Sequence, residues 1–465
     1  MTRRKRMIHS ALFRVPKDAI NQFVHRGSTP ASTLFLASIV GLLAGLVGTA
    51  FEMAVHFVSE TRTDWLRSEI DHYIPLWLAA ILISAGLAFC GYYLVHKFAP
   101  ETAGSGIPEI EGAMDNIRPV RWWRVLPVKF FGGMGTLGSG MVLGREGPTV
   151  QMGGAVGRMV SDIFRVKNDD DRHSLLASGA AAGLAAAFNA PLAAIMFVVE
   201  EMRPQFRYTL ISIKAIIIAT ITATIVFRSI NGQSAVISMP QYQAPELVTL
   251  WLFLLLGVLF GIFGVVFNKL ITFSQDKLTA LHQHKRSRYL LLGVALGGMF
   301  GLLLLYVPEL TGGGISLIPS ITHGEFGIGL LLLLFVGRIV TTLLCFGSGA
   351  PGGIFAPMLA LGTLFGYAFG VIAAHCFPEL PIEPGMFAIA GMGALFAATV
   401  RAPITGILLV IEMSDNYHLI LPLLVTCLGA VIMAQLLGGQ PIYSQLLHRT
   451  LRNEKLRQQD LPDKG

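Results

Sequence analysis

Long apolar runs dominate the chain. They begin near Thr33, Ile74, Leu247, Tyr289, Gly327 and His418, and each continues for roughly 20 residues or more, the length a helix needs to cross about 30 Å of hydrocarbon. Each predicts a membrane-spanning helix. Between them lie shorter apolar pieces interrupted by Gly and Pro. Irregular backbone at membrane depth survives only inside protein, so these pieces predict broken or re-entrant helices packed against their neighbours. The expectation is on the order of ten membrane segments or more. The first run starts only at residue 33 and lacks a cleavage-site pattern, so it reads as a first membrane helix and not as a signal peptide.

The pattern is used twice. Residues 179–200 (GAAAGLAAAFNAPLAAIMFVVE) and 391–412 (GMGALFAATVRAPITGILLVIE) agree at nine of twenty-two positions, among them Ala190/Ala402, Pro191/Pro403 and the terminal acids Glu200/Glu412. Upstream, 138–157 and 347–366 share GSG, a Gly, a Pro and two later Gly, while 100–111 (PETAGSGIPEIE) and 308–319 (PELTGGGISLIP) agree at six of twelve. The offsets of 208, 209 and 212 drift only by small insertions, as in a folded repeat unit. A duplicated membrane unit broken by Gly and Pro points to a transporter with its substrate site at the repeat interface.

Composition agrees with a bilayer as solvent: 53% of residues are hydrophobic and 14% charged, against roughly 25% charged in soluble proteins. The four cysteines, Cys90, Cys345, Cys376 and Cys427, have no paired spacing, so they suggest neither a disulfide framework nor a zinc site and read as small core residues. The net charge of +7 concerns topology and not nucleic acid. Basic residues crowd the N-terminus (Arg3, Arg4, Lys5, Arg6), the middle loop (Lys285, Arg286, Arg288) and the C-terminal tail (Arg449, Arg452, Lys455, Arg457), which assigns all three, and so both termini, to the cytoplasm. Arg203 and Arg207 follow the first copy of the long repeat, whereas Ser414 to His418 follow the second without Lys or Arg. Likewise Arg118, Arg121 and Arg124 follow the first GSGIP and have no basic counterparts after Pro319. That asymmetry favours an inverted repeat, since parallel copies would carry similar charges.

Three segments place Gly before a Pro-containing apolar stretch: GSGIP (104–108), GREGP (144–148) and GIFAP (353–357). Each is the pattern of a chain turning into a helix. A helix N-terminus carries free N–H groups and about half a positive charge, so several aimed at one point attract an anion without a full cation that would hold it too tightly. Gly lets backbone approach the ion, and Ser105 adds a hydroxyl donor. Close helix packing alone would also explain any single such Gly. A phosphate-binding loop is excluded because no GK[ST] follows. An intramembrane serine protease would use Ser105, Ser139 or Ser348 as nucleophile, but it needs a base, and the His residues fall mostly in loops or near segment ends.

The repeat also sorts the acids. Glu200 and Glu412 are partners, which reads as a structural acid kept in both halves. Glu146 pairs with Phe355, and Glu201 pairs with Met413, so these two acids exist in one half only. Isolated carboxylates within a membrane segment are costly and serve proton relays; ion-paired structural acids are the alternative. Glu146 stands at a helix start, where its carboxylate would take the anion's own place and where a proton would release it. One side chain can thus couple two opposed flows.

GSGIPEIEG (104–112), GREGP, AFNAPLAAIMFVVEEM (187–202), GSGAPGGIFAP (347–357) and Tyr443 together resemble the CLC family of chloride channels and proton-coupled transporters, and within it the prokaryotic chloride/proton antiporters, over about residues 33–450. The resemblance implies an all-α integral membrane protein, an inverted, antiparallel repeat of broken and tilted helices, and a homodimer in which each subunit has its own pathway. It implies that Ser105 and Tyr443 bind chloride through their hydroxyls, with Ile354 and Phe355 contributing backbone N–H groups. Glu146 would be the external gate and proton acceptor, and Glu201 the internal proton-transfer residue. Family channels usually lack that second acid, so Glu201 argues for exchange over passive conduction. Ser at 105 resembles the chloride-selective members, where nitrate-preferring relatives tend to carry Pro.

The expected organisation is a cytoplasmic basic segment at 1–32, membrane halves at 33–235 and 236–440, and a C-terminal segment at 441–465 carrying Tyr443 and a cytoplasmic tail; nucleotide-sensing domains are not expected after it. The expected function is exchange of chloride for protons across a bacterial inner membrane, with no cofactor or metal, no enzymatic reaction and no nucleic-acid partner. A passive chloride channel of the same fold, and a sodium-dependent solute transporter with inverted repeats, are the alternatives. Acid resistance is the physiological role expected by analogy.

Overall fold

The computed structural model describes residues 30–67, 74–202, 209–282 and 285–459, with side chains described to Asn453 in the last helix. Arg3, Arg4, Lys5, Arg6, Arg203 and Arg207, most of the 1–32 segment, and the side chains of Lys455 and Arg457 lie outside these residues.

Hydrocarbon offers the backbone no partner, so each apolar run closes its own hydrogen bonds as a helix. One series of eight runs α1 (Pro30–Arg67), α2 (Leu76–Phe98), α3 (Ile107–Met114), α4 (Trp122–Gly138), α5 (Glu146–Ile163), α6 (Asp169–Phe188), α7 (Pro191–Glu200) and α8 (Leu210–Asn231). A second follows in the same order: α9 (Leu250–His282), α10 (Arg286–Tyr306), α11 (Leu317–Thr322), α12 (Ile328–Gly347), α13 (Phe355–Cys376), α14 (Pro384–Val400), α15 (Pro403–Ser414) and α16 (Ile420–Leu436). A single 3-10 turn precedes both α3 and α11, and α17 (Ile442–Gln459) ends the described chain.

Among the described residues eight helices are long and apolar enough to cross a membrane, and three shorter ones, α7, α14 and α15, are also apolar. The six runs evident in the sequence are all among the eight. The other two are α8, whose window is at least as apolar as those of α2 and α10 and was simply not read as a span, and α13, whose apolar signal is weakened by Pro357 and Gly. With 38 residues, α1 would extend roughly 57 Å, well beyond a bilayer's hydrocarbon, so it crosses obliquely or projects from it. By contrast, α7 has 10 residues and α15 has 12, enough for only about half a crossing.

Two contacts fix the relation between the series as inverted. Gly144 and Gly353, equivalent in the repeat, form an isolated antiparallel bridge in which each N–H donates to the other's carbonyl at 2.7 Å. The short helices α7 and α15 run in opposite directions, the C-terminal acid of each reaching the N-terminus of the other. Glu200 accepts from the N–H groups of Ile404 (3.1 Å) and Thr405 (2.8 Å). Glu412 accepts from those of Leu192 (3.1 Å) and Ala193 (2.8 Å). Each helix begins with Ala-Pro and so lacks a side-chain cap of its own; the acid from the opposite half satisfies the orphan donors and complements the helix dipole.

Packing at the core is close because glycines face backbone. A Cβ on Gly153 of α5 would strike the Gly179 carbonyl of α6, and a Cβ on Gly362 of α13 would strike the Gly391 carbonyl of α14. The same small-residue contact is therefore built twice. One expectation is corrected: Cys345 and Cys427 are buried, but Cys90 and Cys376 are exposed on the outer surface, where an apolar thiol tolerates lipid as readily as core.

Candidate anion site at converging helix starts

All three Gly-Pro segments do start helices, and their starts touch. Gly104 and Gly106 both have positive φ, 66° and 88°, which lets the chain reverse around Ser105 into α3. The Gly104 N–H donates to the Ala350 carbonyl (3.2 Å) and the Gly352 N–H to the Gly104 carbonyl (3.1 Å), tying this turn to the segment that leads into α13. At the start of α5, a Cβ on Gly147 would lie only 2.8 Å from the Ser105 carbonyl oxygen. A fourth helix start joins them: Tyr443 is the second residue of α17, and its ring lies parallel to that of Phe355 with centroids 6.4 Å apart.

The expected ion-binding residues therefore meet at one buried point. Ser105 is 3% exposed, Tyr443, Ile354 and Phe355 are fully buried, and neither the Ser105 nor the Tyr443 hydroxyl has a hydrogen-bond partner. A buried hydroxyl without a partner is costly, so two facing the same helix starts call for an acceptor from outside the protein. Ile354 and Phe355 are the N-cap and first residue of α13, whose N–H groups have no acceptor within the helix. Phe188, Phe197 and Phe396 pack around the Phe355 ring at centroid distances of 5.6, 5.9 and 4.5 Å, which keeps water out and strengthens those dipoles.

Glu146 is the first residue of α5 and is fully buried. Its carboxylate faces its own N–H and that of Ala356, in the first turn of α13, without completing a hydrogen bond to either. It thus stands in front of amides that an anion would use. Arg145 beside it is engaged elsewhere, in an ion pair with Glu52 on α1 and a bond to the Ala187 carbonyl. Glu201 is the C-cap residue of α7, is 7% exposed and leaves Oε1 without a partner. The Tyr443 phenol lies within electrostatic reach of Glu146, Glu201 and Glu111, the first two being the acids singled out by the repeat.

A cavity of about 700 Å³ is lined by Arg449 of α17, by Arg118 and Arg121, and by Ser105 and Gly106. Its arginines are matched by acids: Arg118 chelates Glu109 at 2.8 and 2.9 Å, Arg121 chelates Glu101 at 2.9 and 2.8 Å, and Arg449 pairs with Asp276. An anion reaching Ser105 this way meets a polar wall without an uncompensated cation to trap it.

Three residues escaped the sequence reading. Glu111 of α3 is 1% exposed, neither of its oxygens has a partner, and it neighbours Glu201 electrostatically. Its repeat partner is Pro319, so the one-half-only rule that selected Glu146 would have selected it too. Lys129 and Arg338, themselves repeat partners, are fully buried. The Lys129 ammonium donates to the carbonyls of Thr102 (2.9 Å) and Gly104 (2.6 Å). The Arg338 guanidinium donates to those of Glu309 (2.6 Å), Thr311 (3.2 Å) and Gly312 (2.8 Å). A lysine amid VLPVKFFGG was the available signal. These cations do not serve the anion; they gather the carbonyls of the turns that begin α3 and α11.

Two of the three serines proposed for the protease alternative are bonded elsewhere. Ser139 donates to the Thr136 carbonyl (2.7 Å), and Ser348 donates to the Cys345 carbonyl (2.6 Å) and is bonded to the Tyr92 hydroxyl. None of Ser105, Ser139 and Ser348 is bonded to a histidine.

Known proteins resemble this chain in sequence and in fold. Residues 85–435 match the family described as "Voltage gated chloride channel". The chain is 78% identical over 463 residues to the H(+)/Cl(-) exchange transporter ClcA of Vibrio vulnificus (strain YJ016), covering 100% of this chain and 99% of that one. It is 58% identical over 442 residues to the H(+)/Cl(-) exchange transporter ClcA of Salmonella agona (strain SL483), covering 95% and 93%. Among solved structures it is similar to a slow cyanobacterial Cl-/H+ antiporter, with a TM-score of 0.86 and 44% identity over 91% of this chain and 99% of that one. A CLC-type fluoride/proton antiporter, at 22% identity and a TM-score of 0.71 over 89% and 97%, shares the fold. Fold, motifs and full-length identity agree, and the chain belongs to the CLC family of voltage-gated chloride channels and exchangers.

Proposed function

We propose that this protein exchanges chloride for protons across the bacterial inner membrane as a secondary antiporter, without enzymatic turnover. One observation carries the reading: the Glu146 carboxylate faces the first amides of α5 and α13, the donors an anion would need. Carboxylate and chloride compete for one set of dipoles. A proton removes the carboxylate's charge and its hold on those amides, so the side chain swings aside and chloride enters. When the proton leaves, the returning carboxylate expels the ion. Ser105, Tyr443 and the amides of Ile354 and Phe355 hold the chloride. Glu201 passes the proton to the side of the 700 Å³ cavity. A passive channel has no use for a second buried acid, and exchange is the activity named for the 78% identical relative.

In this reading the halves are 33–235 and 236–440, both termini are cytoplasmic by the distribution of Lys and Arg, and two copies of the chain pair with separate pathways. Purified protein in liposomes under an outward chloride gradient, with pH and chloride electrodes read together, should drive protons uphill. A reversal potential that stays at the chloride equilibrium value whatever the pH gradient would replace exchange by passive conduction.

A further inference from the structure

A second concave site lies apart from the pathway. Its volume is about 440 Å³, and it runs between the last turns of α2 and the first turns of α4. One wall is Leu94, Lys97 and Phe98, the i, i+3, i+4 face of α2; the other is Trp123, Arg124, Pro127, Val128 and Phe131 of α4. The groove opens outward: Trp123, Phe131 and Phe98 are 56%, 53% and 44% exposed. Its floor is apolar, its rim aromatic, and each side carries one cation. Unlike Arg118 and Arg121 nearby, neither cation is matched by an acid. Lys97 donates to the Tyr93 hydroxyl (2.9 Å) and lies over the Tyr93 and Phe98 rings, while Arg124 has no carboxylate partner among the described residues.

The groove lies at the end of a membrane span, where a headgroup region begins. α2 is a membrane span that ends at Phe98, so Lys97 stands in its final turn at the hydrocarbon boundary. The exposed Trp123 is the residue type that settles at that boundary. Two unmatched cations there attract an anionic headgroup, and the apolar floor accepts an acyl chain beneath it.

We propose that this groove binds one anionic phospholipid, its phosphate between Lys97 and Arg124 and an acyl chain along Leu94, Val128 and Phe131. Full-length protein is placed in phosphatidylcholine nanodiscs doped with phosphatidylglycerol brominated on its acyl chains. Tryptophan quenching is read as the difference between the parent chain and Trp123→Phe, which isolates Trp123 from its neighbour Trp122. Half-maximal quenching should need a mole fraction at least tenfold lower than for brominated phosphatidylcholine, since each of the two cations favours an anionic lipid by about fivefold, or about 25-fold together. Lys97→Gln with Arg124→Gln should remove that preference while chloride flux persists. Equal quenching by the two lipids, or a preference unchanged in the double variant, overturns the proposal. Relief of quenching by millimolar inorganic phosphate overturns it too, because the site would then read the bare ion and not the lipid. Far-ultraviolet circular dichroism of both variants confirms that the compared proteins are folded.

Discussion

The two halves share one backbone plan, and they differ where chemistry is needed. Where a residue type recurs, its contacts recur: Gly144 with Gly353 in the bridge, Glu200 with Glu412 at the reciprocal helix ends, Lys129 with Arg338 on the carbonyls of the turns. Where the residue differs, the first half holds the reactive member. Ser105 faces Gly313, Glu146 faces Phe355, Glu201 faces Met413, and Glu111 faces Pro319 across the repeat. The second half contributes amides, aromatic rings and shape. A symmetric scaffold supplies converging helix starts, and the departures from its symmetry supply the buried titratable groups on which the proposed exchange depends.

That contrast can be broken by substitution. The largest effects are expected at the unpaired acids. Glu146→Ala should abolish proton movement and leave chloride flux, because nothing then competes with the anion or carries a proton. Glu201→Gln should preserve chloride flux and lose proton flux. Paired electrode traces from vesicles decide both. Uphill proton pumping by Glu146→Ala would dismiss the competition mechanism, and loss of both ions in Glu201→Gln would make that residue structural.

Next in size are the buried cations. Lys129→Met strips donors from two carbonyls and Arg338→Met from three, and an unpartnered buried acceptor costs about 1–3 kcal/mol. Both variants should lower stability by several kcal/mol, on the order of 2–6 for Lys129 and somewhat more for Arg338. Denaturation followed in detergent tests the order; a thermally unaffected Lys129→Met would mean that its ammonium does not secure the Ser105 turn.

The smallest effects belong to the reciprocal caps. Glu200→Gln and Glu412→Gln weaken charged contacts to helix N-termini and should each cost about 1–2 kcal/mol, with the ratio of chloride to protons unchanged. Glu200 should cost slightly more, since it also accepts from the Thr405 hydroxyl at 2.9 Å, where Glu412 meets Ala193. A large difference between the two variants, or an altered ratio, would show that their equivalence is only geometric.

The apolar runs, the repeat and its offsets, the three helix starts and the one-sided acids were all legible in residue order. Each depends on a residue's neighbours or on its counterpart in the other copy. α13 was less legible as a span because Pro357 and scattered Gly weaken its apolar signal, whereas α8 was overlooked although its window is at least as apolar as those of α2 and α10. Tyr443 was suggested by family resemblance alone; the structure puts it at a fourth helix start, its hydroxyl buried without a partner. Glu111 was overlooked although the rule that found Glu146 applies to it.

By itself the sequence determined the solvent, the duplication and the residue types able to hold an anion or a proton, because hydropathy, helix-start chemistry and internal alignment are properties of short windows. Tertiary structure alone decided that helix starts from positions 107, 146, 355 and 442 meet at one point, that Lys129 spends its charge on carbonyls, and that Glu200 and Glu412 exchange caps. Those outcomes depend on contacts between residues far apart in the chain, and no local pattern encodes which distant dipoles will share a point in space.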